Sequence, residues 1–215
     1  FYSCREFYTW EINLDEVRDR LMNIDESRRT LSNIFDELYC AYSRKHAPGS
    51  RIWGDKTPLN TLYLDWIGSV YPKSKFIHII RDGRDVADSY LRMKRYQKLE
   101  EAARRWNSSI NLAQSFGSKR GDDYLEMRYE ELVTDTEPVI RQACSFLGVD
   151  YSPSMLDYTS RVDKLGDTDK AHHSNLTKPI NSESVGKWKK NFSDSEQKEI
   201  NRLLHQNLLS LGYVD

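Results

Sequence analysis

The side chains best suited to chemistry are a few cations beside turns. Arg81 directly follows the apolar run Lys75-Phe-Ile-His-Ile-Ile80 and opens the segment Arg81-Asp-Gly-Arg-Asp-Val-Ala-Asp-Ser89. A guanidinium at the end of a buried strand is delivered to the crevice at the sheet's edge. Ser89 and the N-terminus of the following helix could join it in gripping a phosphate, because all these donors and the helix dipole favour negative charge. Gly83 is expected to permit a tight turn into that helix. A second reading stands beside the first: Arg81 pairs with Asp82 or Asp85 and serves the helix end alone. Lys56, in Asp55-Lys-Thr-Pro58, has a similar placement. Its ammonium could neutralise a leaving-group oxygen, although a lysine near a turn is ordinarily solvated.

These groups need elements to position them. Apolar residues at Leu31, Ile34, Phe35, Leu38 and Tyr42 follow helical spacing, as do Leu59, Leu62, Tyr63, Trp66, Ile67 and Val70, and each stripe can cover a sheet face. Arg51-Ile-Trp53 reads as a short strand, and the run ending at Ile80 as a strand buried on both faces. A helix with Leu99, Ala103, Trp106, Ile110 and Ala113 on one side precedes a third strand at 123–128. This alternation predicts a parallel α/β sheet with ligands at the carboxyl ends of its strands. A helix over about 137–147 stops at Gly148, and Ser193-Asp-Ser-Glu196 is a capping box opening a final helix. The irregular stretch 151–190 reads as a lid.

Taken together, Asp55-Lys-Thr-Pro58, the strand with Arg81 to Ser89, Arg128-Tyr-Glu-Glu-Leu132 and Val185-Gly-Lys-Trp188 resemble the sulfotransferase family, most closely its tyrosylprotein and bacterial branch. The resemblance runs over roughly residues 15 to 192, with the motifs in order and at matching separations. It implies a P-loop-like, three-layer αβα fold around a central parallel sheet. It also implies transfer of a sulfuryl group from 3′-phosphoadenosine 5′-phosphosulfate (PAPS) to an acceptor hydroxyl or amine, with adenosine 3′,5′-bisphosphate (PAP) as product. By resemblance Arg81 and Ser89 bind the 3′-phosphate, Tyr129 contacts the nucleotide, Lys187 reaches over the donor, and Lys56 stabilises charge on the bridging oxygen. His172 aligns with a serine that contacts the donor in that branch. No metal is required for such an in-line transfer.

The same resemblance marks departures. The family's strand, phosphosulfate loop and helix do not occur, and Gly117-Ser-Lys-Arg-Gly121 follows a helix and so lacks the context that aims backbone amides at phosphates. The expectation is a single domain over 1–215 whose N-terminal strand and loop are missing, with the catalytic base upstream of Phe1. Asp55 is a conceivable base, but an acid beside Lys56 is ordinarily an ion pair. Two rivals share parts of the pattern: a P-loop nucleotide kinase and a noncatalytic scaffold.

Composition narrows the field further. The 32 Lys and Arg against 33 Asp and Glu among 215 residues leave no overall field to attract nucleic acid, so any anion site must be local. Apolar runs fall far short of the roughly 20 residues of a membrane span. The three cysteines, Cys4, Cys40 and Cys144, lack metal or disulfide spacing and point to a reducing, cytoplasmic setting, or to the Golgi lumen should an anchor precede the chain. Asn107, Asn175 and Asn191 fit the glycosylation tripeptide, and the aromatic start Phe1, Tyr2, Phe7, Tyr8 and Trp10 suits a core or an acceptor pocket. The acceptor itself is left open, and so is a homodimer.

Overall fold

Two five-residue strands carry the architecture: β1 (Phe76–Ile80) and β2 (Tyr124–Arg128), paired in parallel with Ile80 opposite Arg128. The computed structural model describes residues 10–157 and 179–214. These fall into two compact units, one of residues 10–60 and 66–72, the other of 61–65, 73–157 and 179–214.

In the second unit a parallel pair requires a crossover, which α4 (Gly83–Arg92) and α5 (Leu99–Gly117) supply. The apolar stripe of α5 buries Ala103, Trp106, Ile110 and Ala113. Opposite it α9 (Asp194–Ser210) buries Ile200, Leu204 and Leu208, none of them exposed at all. The Ser193–Glu196 capping box is present in full, the serine taking the Glu196 amide while the glutamate takes the Ser193 amide. Ile80, Ala87, Trp106, Trp188 and Phe192 complete this core. On β2 lie α6 (Tyr129–Thr134) and α7 (Thr136–Leu147), the latter burying Val139 and Cys144. Gly148 ends α7 in the left-handed region (φ 73°), which lets its amide and that of Val149 return to the carbonyls of Ser145 and Cys144.

Three expectations change here. No strand forms at 51–53. Trp53 instead lies flat on Tyr39, ring centroids 4.0 Å apart, so this segment is held by aromatic packing rather than by a ladder. The strand β1 is buried on one face only: Phe76 packs on Phe116 and Ile80 enters the core, whereas Ile77 and Ile79 are 37% and 50% exposed. Among the described residues the helices α4, α5 and α9 serve only the first of these faces. The helix expected from Leu59 begins later, as α3 (Leu64–Val70), after a 3₁₀ turn at Asn60–Leu62. The Asn60 side chain donates to the Asp55 carboxylate at 2.6 Å, a local bond that competes with helix formation, and Leu59, Leu62, Tyr63 and Trp66 remain exposed.

The first unit is helical. Its α1 (Leu14–Met22) is capped by Asn13 and α2 (Leu31–His46) by Thr30, each side chain accepting first-turn amides. Val17 and Leu38 are its buried apolar residues among those described, and the rings of Trp10, Tyr39, Tyr42, Trp53 and Tyr71 form a continuous cluster with centroids 4.0 to 5.4 Å apart. Trp10 thus belongs to a core; Phe1, Tyr2, Phe7 and Tyr8 lie outside the described residues.

Candidate active site

Parallel pairing puts the ends of β1 and β2 side by side, so Arg81 and Tyr129, the residues after Ile80 and Arg128, become neighbours. The Arg81 guanidinium lies over the Tyr129 ring, 4.9 Å from its centroid. One of its Nη atoms donates to the Ser184 carbonyl at 2.6 Å, while its Nε is buried with no hydrogen-bond partner among the described residues. The backbone here is held from below: Trp106 Nε1 donates to the Arg81 carbonyl at 3.1 Å.

The acids next to Arg81 do other work than pairing with it. Asp82 accepts the Arg84 amide, capping α4, and chelates the Arg84 side chain with its shortest contact at 2.7 Å. The Asp82 amide in turn donates to Glu130 at 2.9 Å, and the other oxygen of Glu130 accepts the Tyr213 hydroxyl at 2.9 Å. Asp85, 1% exposed, accepts the amides of Gly186 at 2.7 Å and Trp188 at 3.0 Å. Burial pushes the Asp85 carboxyl above its usual range, against the pull of those two amides and of Arg81. Asp88 accepts both contacts of the Asn191 amide at 3.0 Å, besides a bond from Arg92. Two carboxylates therefore already stand at the positive end of α4, Asp82 on its first free amide and Asp85 within its first turn.

Ser89 stands in the second turn of α4, four residues past Asp85 and so on the same side of the helix. Its hydroxyl contacts Met93 Sδ at 3.7 Å. Lys187 is half-buried on the turn leading into α8 (Trp188–Asn191), bracketed by the two amides that Asp85 holds. The turn reverses at Gly186, φ 72°, and Trp188 packs under Arg84, 4.4 Å from the ring centroid to the guanidinium carbon. Arg81, Tyr129 and the Lys187 turn are thus gathered around one strand edge.

Lys56 belongs to the first unit and is exposed, with no ion pair among the described residues. Its neighbour Asp55 does not pair with it. The Asp55 carboxylate accepts Tyr39 Oη at 2.9 Å and Asn60 Nδ2 at 2.6 Å, and burial together with the bond to Asp55 keeps the Tyr39 phenol protonated, raised well above its ordinary value. Asp55 is therefore an anchor for the segment that presents Lys56. His172 and most of the 151–190 stretch lie outside the described residues.

Sequence reasoning gave no role to Asp88 or Glu130, and offered Asp85 only as a partner for Arg81. The signal was present in the spacing of Asp82, Asp85 and Asp88 along one face of a helix that also buries Ala87, since acids on a buried face need partners. Gly83 has another role than the one expected: a Cβ there would lie 2.6 Å from Trp106, so its purpose is close packing rather than a turn. Two glycosylation tripeptides are structural as well. Asn107 donates to the Leu203 carbonyl and accepts from Asn207, and Asn191 holds Asp88. Among the described residues no group of three or more His, Cys, Asp or Glu could hold a metal ion, and no helix is long and apolar enough to cross a membrane.

A parallel strand pair joined by a helical crossover, with cations gathered at its carboxyl edge, places the chain in the α/β class. The sequence profile of the sulfotransferase family matches residues 7–153, and the chain belongs to that family. It is 24% identical over 179 residues to protein-tyrosine sulfotransferase 1 of Danio rerio, covering 79% of this chain and 50% of that protein. It is 25% identical over 184 residues to the 3-beta-hydroxysteroid sulfotransferase of Cavia porcellus, covering 74% and 63%. The chain spans about half the length of the Danio rerio protein and 42% of protein-tyrosine sulfotransferase 2 of Gallus gallus. In three dimensions it shares the fold of the sulfotransferase domain from the Synechococcus PCC 7002 olefin synthase, with TM-score 0.65, 23% identity, and coverage of 90% of this chain and 74% of that one. The sulfotransferase domain from the curacin biosynthetic pathway has TM-score 0.59 at 23% identity, covering 89% and 78%. The turn bearing Lys187 lies beyond the profile match, and the structure ties it to the Arg81 segment through Ser184 and Asp85.

Proposed function

We propose that the protein is a PAPS-dependent sulfotransferase that passes a sulfuryl group to an acceptor hydroxyl or amine. The observation that carries this reading is Arg81: a guanidinium at a strand end, stacked on Tyr129, with a buried Nε that no group among the described residues satisfies. Buried polar atoms are rarely left unpaired, and a phosphate oxygen is a partner of matching chemistry. The residues present therefore fit the donor. Arg81 and Ser89 hold the 3′-phosphate, Tyr129 stacks beside the nucleotide, and Lys187 supplies charge from its pinned turn. When bound, the donor supplies the sulfuryl group, and PAP departs as the acceptor oxygen or nitrogen takes it. Lys56 neutralises the charge that collects on the departing oxygen, a contribution made chiefly in the transition state. His172, by its alignment in the family, adds a contact to the donor. An acceptor with a hydroxyl or amine completes the reaction, and its proton is released.

The test is calorimetric titration of PAP into the full-length protein and its Arg81→Ala variant. Loss of a charge-assisted contact predicts at least about a tenfold weaker affinity in the variant. Equal affinities remove Arg81 from the site. Absence of PAP binding by the wild-type protein, with its fold retained, supports the scaffold reading in its place.

A further inference from the structure

An ionised group that is almost wholly buried must be held by its surroundings, and what holds Asp85 lies 101 and 103 residues further along the chain. Its two oxygens take one amide each, from Gly186 and from Trp188, the residues on either side of Lys187. Two bonds to one rigid carboxylate set both the position and the direction of the peptide units between them. Lys187 therefore leaves the backbone at a point that Asp85 determines. The neighbouring contacts act in the same sense: Ser184 is tied to Arg81, Trp188 is covered by Arg84, and Asn191 is bound to Asp88. All four acceptors or cations come from the start of α4 and the residue pair before it, the segment that also carries the phosphate-binding candidates.

We propose that Asp85 is a positioning residue for the donor site, which acts by fixing the turn that presents Lys187. This rests on the donor reading above. Asp85 touches no ligand; its effect on the donor passes through the lysine. Replacing the carboxylate by an amide, Asp85→Asn, leaves one acceptor and puts an NH₂ donor against the second backbone amide, so one of the two anchors is lost.

Two measurements test this. The first needs no ligand: limited trypsin digestion, with the fragment ending at Lys187 quantified by mass spectrometry. Asp85→Asn is expected to speed cleavage after Lys187 by at least about tenfold, the factor that one lost bond to a charged acceptor represents. Should that variant not fold, Gly186→Ala loosens the same turn from its other side, because the φ of 72° strains any side chain there although the space is open. The second measurement is PAP affinity in the wild type, Asp85→Asn (or Gly186→Ala), Lys187→Ala and the double variant. Each single change is expected to weaken PAP about tenfold, and the double variant to bind no worse than Lys187→Ala. Equal further losses in both backgrounds make Asp85 purely structural and overturn the proposal. Unchanged cleavage in a protein that still binds PAP also overturns it, leaving the donor reading in place. Faster cleavage in a protein that binds no PAP even as wild type overturns the donor reading, and the role of Asp85 toward the donor with it.

Discussion

Gly83→Ala is a small substitution with a large expected effect. The added methyl would lie 2.6 and 2.7 Å from two ring carbons of Trp106 and 2.8 Å from a methyl of Leu204, about 1 Å inside a normal carbon contact. Neither neighbour has room to yield. Trp106 is 4% exposed and its indole is tied to the Arg81 carbonyl, and Leu204 is fully buried. Overpacking of this kind costs about 1–3 kcal/mol. Restricting the unfolded chain and gaining helix propensity returns at most about 1 kcal/mol. Three contacts this short put the cost in the upper part of the overpacking range, about 2–3 kcal/mol, so the net loss is about 1–2 kcal/mol, which for a chain of this size lowers Tm by about 2–8 °C. Thermal unfolding followed by circular dichroism reads this directly. Gly54→Ala is the matched control, since its methyl meets nothing within 4 Å, and its Tm should hold or rise slightly. A Gly83→Ala protein as stable as the wild type would refute the claim that α4 sits on Trp106 without slack. A drop of the same size in both variants would refute it equally.

Other outcomes follow from the same contacts. Lys56→Ala is expected to depress kcat by about tenfold or more while leaving PAP affinity within about twofold, as for a group that acts in the transition state; equal losses in both make it a binding residue only. His78 bonds to the Tyr124 hydroxyl at 2.8 Å, and burial holds its imidazole below the ordinary value of 6.5 against a smaller upward pull from Glu126. As pH falls past 6.5 the unfolded chain takes up the proton before the folded one does, so stability present above that value is lost on acidification. The urea midpoint should fall between pH of about 7 and about 5.5 in the wild type and fall less in His78→Gln. A midpoint in the wild type that holds or rises over this range would contradict the direction of the shift.

Much of the frame was legible because its signals are local. Helical spacing placed the buried stripes of α5 and α9, a serine three residues before a glutamate marked the start of α9, and a glycine with left-handed φ ended α7. An arginine after an apolar strand marked one side chain of the site, while Tyr129, which the parallel register brings beside it, was named only through the family resemblance. These are properties of a few consecutive residues, and periodicity or conformational preference encodes them directly.

What tertiary structure alone decided is the partnership of charges. From the sequence, Asp82 and Asp85 were equally available to Arg81. In the fold Asp82 turns to Arg84 and Asp85 reaches across to Gly186 and Trp188, leaving Arg81 with a buried nitrogen to offer. The same holds for Asp55, drawn to Tyr39 rather than to Lys56, and for Gly83, whose missing side chain matters only because Trp106 arrives from another helix. Such choices depend on which group is desolvated beside which, and burial is a property of the assembled fold rather than of any short stretch of chain.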